Sequence, residues 1–144
     1  MDMRALSGIM PSGVSQSIDL EKGEDPVSWC HGAAGIALER KWVEKLLNVK
    51  CEDEQCAYMK VKNCGWKDAN CLCHGNAGNL MVLMEFENIK CGKHWEKLAE
   101  LVVTEQIQRK EWHNPGLMTG MAGIGYALLK AKTDNLPNIL ACMI

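Results

Sequence analysis

The sequence predicts an all-α fold built from repeated helix pairs in two layers. Three observations lead there. First, Gly32-Ala-Ala-Gly35, Gly75-Asn-Ala-Gly78 and Gly120-Met-Ala-Gly123 repeat one small-residue pattern at intervals of 43 and 45 residues. A fixed period of this size marks a repeat architecture. Second, helix-period apolar patterning follows each motif, and strand alternation is nowhere sustained. Third, the segments between the motifs are more charged than those that follow them, as outer and inner helices of a double layer would be.

Each element has its own warrant. After Gly35, the apolar positions Ile36, Trp42/Val43 and Leu46/Leu47 share one broad face, with Glu39, Arg40, Lys41, Glu44 and Lys45 mostly elsewhere. Leu80, Leu83, Met84 and Phe86 do the same after Gly78, and Ile124, Tyr126/Ala127 and Leu128 after Gly123. These helices predict the inner layer. Residues 95–110 predict an outer helix, with Trp95, Leu98, Leu101/Val102, Glu105 and Ile107 on its inward side. Residues 52–62 give a second, weaker one. Small residues at each inner helix start allow close packing on a neighbour, and glycine tolerates the turn entering the helix. Residues 1–28, with Gly8, Pro11, Gly13 and a charged stretch from Asp19 to Asp25, read as irregular chain. The tail from Pro137 to Ile144 is a short apolar run that tucks against the body or forms a short edge element.

Composition narrows the function classes. The chain has 144 residues, 47% apolar and 24% charged, a globular composition rather than a disordered one. A net charge of -2 and the absence of a polybasic cluster exclude nucleic-acid binding driven by bulk charge. The longest uncharged run, Asn114 to Leu129, is too short to span a bilayer and is broken by Pro115 and four glycines, so no transmembrane segment is expected. Residues 1–16 lack the pattern of a secretory signal. The expected compartment is the cytoplasm, where the 8 cysteines stay reduced and point to metal, catalysis or apolar packing rather than a disulfide frame.

The chemistry sits at two of the three motifs. The first is preceded by Trp29-Cys30-His31, the second by Leu72-Cys73-His74 and the third by Met118-Thr119. Two equivalent turns thus offer thiol and imidazole just before an inner helix, and adjacent repeats bring such turns together. Soft thiolates with imidazole suit Zn²⁺. Cys30 and Cys73 with either His74 or His31 make three ligands and leave a position open; all four make a closed structural site. Cys51, Cys56, Cys64 and Cys71 form a loose run without the close pairs of a zinc ribbon, and read as free thiols, as do Cys91 and Cys142. A nucleophile–base pair at Cys30/His31 or Cys73/His74 is disfavoured because adjacent residues rarely orient that way. No Gly-Lys-Ser/Thr follows the glycines, which excludes a phosphate loop. The five tryptophans read as packing, with Trp29 also at the site wall, and Met118 and Met121 read as core.

Together, Trp29-Cys30-His31-Gly32-Ala-Ala-Gly35-Ile36, Leu72-Cys73-His74-Gly75-Asn76-Ala77-Gly78-Asn79 and Gly116-Leu117-Met118-x-Gly120-x-Ala122-Gly123-Ile124-Gly125-Tyr126 resemble the lanthionine synthetase cyclases, the LanC-like family. The Pro137-Asn-Ile-Leu140 tail also looks like a family C-terminus. The resemblance spans residues 28–142, with the motifs in the family's order. It implies an α/α toroid, here about three of seven helix-pair repeats, around a zinc ion held by Cys30, Cys73 and His74. His31 falls where the family reserves no ligand. The implied activity is thioether formation in lantibiotic biosynthesis: a peptide cysteine thiolate adds to dehydroalanine or dehydrobutyrine. The implied partner is a dehydrated precursor peptide, with the rest of the synthetase or a membrane-associated biosynthesis complex beside it.

The family's acid/base histidine lies upstream of the first zinc cysteine and has no counterpart here; neither His94 nor His113 sits in a matching motif. Residues 29–144 are therefore expected to be the C-terminal part of a cyclase domain. The second motif is closest to the fused dehydratase–cyclase enzymes of class II pathways (LanM type), although a stand-alone cyclase also fits. Two other functions fit the same site: a module that binds zinc and peptide without turnover, and the related branch that adds glutathione to dehydroamino-acid residues.

Overall fold

The computed structural model describes residues 26–66, 68–87, 96–102, 104, 114–133 and 135–141. Every regular element among them is helical. They are α1 (Ala33–Leu47), α2 (Glu52–Cys64), α3 (Asn76–Glu87), α4 (residues 96–102), α5 (Met121–Lys132) and a 3₁₀ turn at Ile139–Ala141.

The helices that follow the glycine motifs form one row. α3 is central, with α1 packed on one flank and α5 on the other, while α2 packs across α1 and α3. This is the expected double layer. The central place of α3 is legible in its burial: Asn76, Ala77, Gly78, Asn79, Leu80, Met81, Val82 and Leu83 are all buried. A helix buried on every side belongs to a core, whereas one with a single buried stripe belongs at its edge. α2 has such a stripe, Ala57, Tyr58, Lys60 and Val61, and carries Glu52, Asp53 and Glu54 in its first turn, where acidic groups favour the helix dipole.

α1 departs from the expected face. Its buried residues are Ala33, Ala34, Ala37 and Leu38, with Ile36 and Trp42 packed at the core margin. Leu46 and Leu47 are about two-thirds exposed, at 66% and 67%. The small residues win the core because they allow α1 to approach its neighbours closely, and the last turn of α1 runs on past them to Asn48, which ends it in the left-handed conformation.

The layers are joined by polar links as well as apolar contact. Tyr58 of α2 stacks on Phe86 of α3, with centroids 4.7 Å apart. The Tyr58 hydroxyl donates to Glu87, which also pairs with Lys62 at 2.8 Å. Arg40 of α1 reaches Asp53 of α2 at 3.1 Å. Lys97 of α4 lies 4.6 Å over the Trp66 ring, and Leu98 is fully buried. Trp95 and residues 105–110 of the expected outer helix lie outside the described residues.

The tail tucks against the body. Asn138 is buried and donates to the Met81 carbonyl and to Glu85, both at 3.1 Å. Leu140 is buried, the 3₁₀ turn packs on α1, and Tyr126 of α5 donates to the Pro137 carbonyl at 2.9 Å. The apolar run thus ties α1, α3 and α5 together. Residues 1–25 and 142–144, and with them the irregular N-terminal stretch and Cys142, lie outside the described residues, as do Cys91, His94, Trp112 and His113.

Candidate metal centre

Three turns of the same form, residues 28–32, 71–75 and 116–120, precede α1, α3 and α5. In each, the chain doubles back so that the first backbone N–H of the helix donates to a carbonyl seven residues upstream. Ala33 donates to Pro26 at 3.0 Å, Asn76 to Ala69 at 2.9 Å and Met121 to Asn114 at 2.8 Å. These bonds satisfy donors that a helix start leaves without an intrahelical partner. No side chain caps α1 or α5, so the upstream loop does the capping.

This return explains the glycines, for a reason other than the one expected. Gly32 and Gly120 have φ of -165° and -131°, extended values open to any residue, so the turn needs no special backbone freedom. What it needs is room. A Cβ at Gly75 would lie 2.5 Å from the Ala69 carbonyl oxygen, and one at Gly120 only 1.9 Å from that of Asn114. The second glycine of each motif meets the same obstacle one helical turn on: a Cβ at Gly78 would sit 2.0 Å from the Leu72 carbonyl oxygen. The small-residue frame accommodates the loop that folds over the helix start. Close packing on a neighbouring repeat accounts for part of it only at Gly123, where a Cβ would also press on the Leu72 side chain at 2.8 Å.

The three turns are then laddered side by side. The Cys30 N–H donates to the Cys73 carbonyl at 3.2 Å, and the Cys73 N–H donates to the Met118 carbonyl at 2.8 Å. The residue two before the first motif glycine thus occupies the same rung in each repeat. Ser28, 4% exposed, adds a bond between the first two turns by donating from its hydroxyl to the His74 carbonyl at 3.3 Å. Under the second turn, the buried Asn76 amide donates to the Asn70 side chain at 2.8 Å, and Asn79 donates to the Gly65 carbonyl at the end of α2.

The ladder gathers three donor side chains. Cys30 Sγ, Cys73 Sγ and a His74 ring nitrogen all lie within 4.8 Å of one another. Donors around a four-coordinate zinc stand about 3.5–3.8 Å apart by ordinary bond lengths, so small side-chain rotations suffice to close the set. Cys73 is half-buried; Cys30 and His74 are exposed. Its hydrogen bond with Cys30, followed by burial and the nearby Cys30 charge, pushes the Cys73 thiol above its usual range. Two thiols this close resist ionising together unless a cation shares the site.

His31 is not a member of the group. Its Nδ1 lies 2.9 Å from Cys30 Sγ, so it touches one ligand candidate without joining the three. The alternative in which all four residues close the site therefore does not form. Neither does a second cluster among the described residues: Cys71 is buried, Cys51 half-buried, and Cys56 and Cys64 exposed, all as free thiols. Met118 stands on the third rung, packed at the core margin, where the first two repeats have cysteine. Ser28 and Asn70, the partner of Asn76, were not singled out from the sequence. A polar residue four before the motif glycine, facing a neighbouring turn, leaves no periodic signal.

A family model described as lanthionine synthetase C-like protein matches residues 11–144. The chain belongs to the lanthionine synthetase C-like family. It is also 30% identical over 127 residues to the lacticin 481/lactococcin biosynthesis protein LcnDR2 of Lactococcus lactis subsp. lactis, a match covering 71% of this chain and 14% of the relative. The chain thus spans about one-seventh of the length of that relative. No solved structure matches the chain. The family assignment agrees with the all-helical architecture, and among the described residues no helix is long and apolar enough to cross a membrane.

Proposed function

We propose that this chain is the zinc-holding part of a lantibiotic-type cyclase, with Cys30, Cys73 and His74 as the metal ligands. The observation that supports the reading is the convergence of two thiols and one imidazole on neighbouring rungs of the ladder. Two sulfurs and one nitrogen are the donor set that borderline-soft Zn²⁺ favours, and three protein ligands leave one position open. Bound there, zinc would supply a Lewis-acidic site that holds an incoming cysteine sulfur as its thiolate near neutral pH.

The chain's own contribution is placement. The ladder fixes the Cys30 and Cys73 backbones relative to each other, and Ser28 holds the His74 turn against the first. The exposure of Cys30 and His74 leaves the open side of the cluster accessible to a peptide. The proposed reaction joins the peptide sulfur to the β-carbon of dehydroalanine or dehydrobutyrine. The double-bond electron pair moves to the α-carbon, which takes up a proton, and nothing leaves. No residue of this sequence is assigned as the acid that delivers this proton, and residues 29–144 act as the C-terminal part of the cyclase domain. The substrate is a dehydrated precursor peptide, and the reduced thiols suit a cytoplasmic setting.

Metal analysis of the purified chain tests this. One zinc per chain is expected, lost in Cys30→Ala and in Cys73→Ala and kept in Cys56→Ala, whose thiol stands apart on α2. A dehydrated peptide should then lose free thiol to thioether in the presence of the enzyme. A chain that takes up no zinc has no cyclase centre. Addition of glutathione in place of ring closure would move the assignment to the glutathione-adding branch of the family, and peptide binding without bond formation would make the chain a binding module.

A further inference from the structure

The same turn position holds a histidine in the first two repeats, and the structure gives the two different surroundings. His74 contributes its ring to the cluster. His31 stays outside it, exposed, with Nδ1 2.9 Å from Cys30 Sγ. Resting on the metal-centre reading above, we propose that His31 is a positioning residue for Cys30: its Nδ1–H donates to the sulfur and holds the Cys30 side chain in the orientation that completes the metal site.

The direction of the bond follows from the chemistry of a ligated thiolate. A sulfur bound to a metal carries no proton and can only accept, so Nδ1 must carry the hydrogen. An N–H donor aimed at a thiolate offsets part of its negative charge and locks its rotamer, as outer partners of metal ligands do. The need is specific to Cys30. Cys73 is half-buried and fixed on both sides by the ladder, its carbonyl accepting from Cys30 and its N–H donating to Met118. Cys30 is exposed and linked to the ladder by its N–H, and its neighbour supplies the side-chain restraint that burial gives Cys73. The contact is local, between adjacent residues of one turn, so it costs little entropy to form.

The test uses Co²⁺ as the probe metal with the full chain, His31→Phe to remove the donor and His31→Asn to keep an N–H near the Nδ1 position. His31→Phe should weaken Co²⁺ binding about 10-fold or more, the usual effect of losing an outer partner. It should also shift the thiolate-to-cobalt charge-transfer band to lower energy at unchanged helix content, and His31→Asn should recover most of both. In the metal-free chain, the His31 imidazole ¹⁵N resonances should move on Cys30→Ala. Wild-type affinity and an unshifted band in His31→Phe would overturn the proposal, as would ¹⁵N resonances indifferent to Cys30→Ala. A wild-type chain that takes up no Co²⁺ would instead remove the metal-centre reading and the proposal with it, and the ¹⁵N measurement would still report whether the contact exists.

Discussion

The first two turns and the third share a backbone and differ in what hangs from it. All three fold over a helix start, all three begin their motif with a glycine that leaves room for an upstream carbonyl, and they are joined through Cys30, Cys73 and Met118. Only the first two carry thiol and imidazole. The third rung accepts the Cys73 N–H at 2.8 Å, the shorter of the two ladder bonds, so a turn without metal donors still holds one that has them. The repeat is thus a scaffold that sets distance and register, and the chemistry is grafted onto part of it. A metal site needs donors fixed by rigid support; here the support extends one repeat beyond the donors.

The sharpest way to break this comparison is to damage the scaffold where it bears no donor. In Gly120→Ala the new methyl meets the Asn114 carbonyl oxygen and the backbone nitrogen of Gly116, neither of which can swing aside. The expected loss is about 3 kcal/mol or more, beyond the ordinary range of overpacking because the obstacle is backbone. Urea unfolding measures it. A loss under about 1 kcal/mol would mean that the motif spacing is incidental to the turn. A milder change probes the rung itself. Met118→Ala removes a half-buried side chain and leaves its carbonyl in place, so stability should fall by about 1–2 kcal/mol, below the cost of a fully buried methionine. Metal uptake should stay at one ion per chain. Loss of the metal in this variant would show that the third rung contributes more than backbone.

How much of this was legible in the sequence depends on range. The repeat period, the inner helices and the two thiol–imidazole turns follow from patterns that recur along the chain; those patterns left His31 and His74 as alternatives, the family resemblance implied His74, and Cys30, Cys73 and His74 sit together in the structure. The purpose of the glycines was not legible. Close helix packing and a special backbone conformation are the usual reasons for a small-residue pair, and the actual one, a carbonyl six residues upstream, depends on how the preceding loop returns. Leu46 and Leu47 misled for a related reason. Their spacing places them on an apolar face, but which turns of a helix meet a neighbour is decided by where that neighbour lies, and here the alanines of the first turns win the contact. The role of His31 was open between ligand and bystander, because two adjacent residues in a turn can point almost anywhere. Its 2.9 Å approach to Cys30 places it between those alternatives.

The smallest expected effect separates the first pair of turns from the second. Ser28 donates across from the first turn to the His74 carbonyl, and Cys71 holds the corresponding position in the second turn. The side-chain link is therefore present where the donors are and is replaced by a thiol, a weak donor, where they end. Ser28→Ala removes a part-buried hydrogen bond between the buried Ser28 and the His74 carbonyl, which costs about 1 kcal/mol in urea unfolding. If the bond serves only the fold, metal affinity will be unchanged at that cost. If it holds the His74 turn in register with Cys30, competition titration against a chelator will show weaker metal binding in Ser28→Ala, whereas Met118→Ala, although less stable, will bind as the wild type does. That crossing of the two variants, with the larger stability loss on the third rung and the larger metal loss on the first, is the outcome expected of a scaffold whose donors occupy only one end.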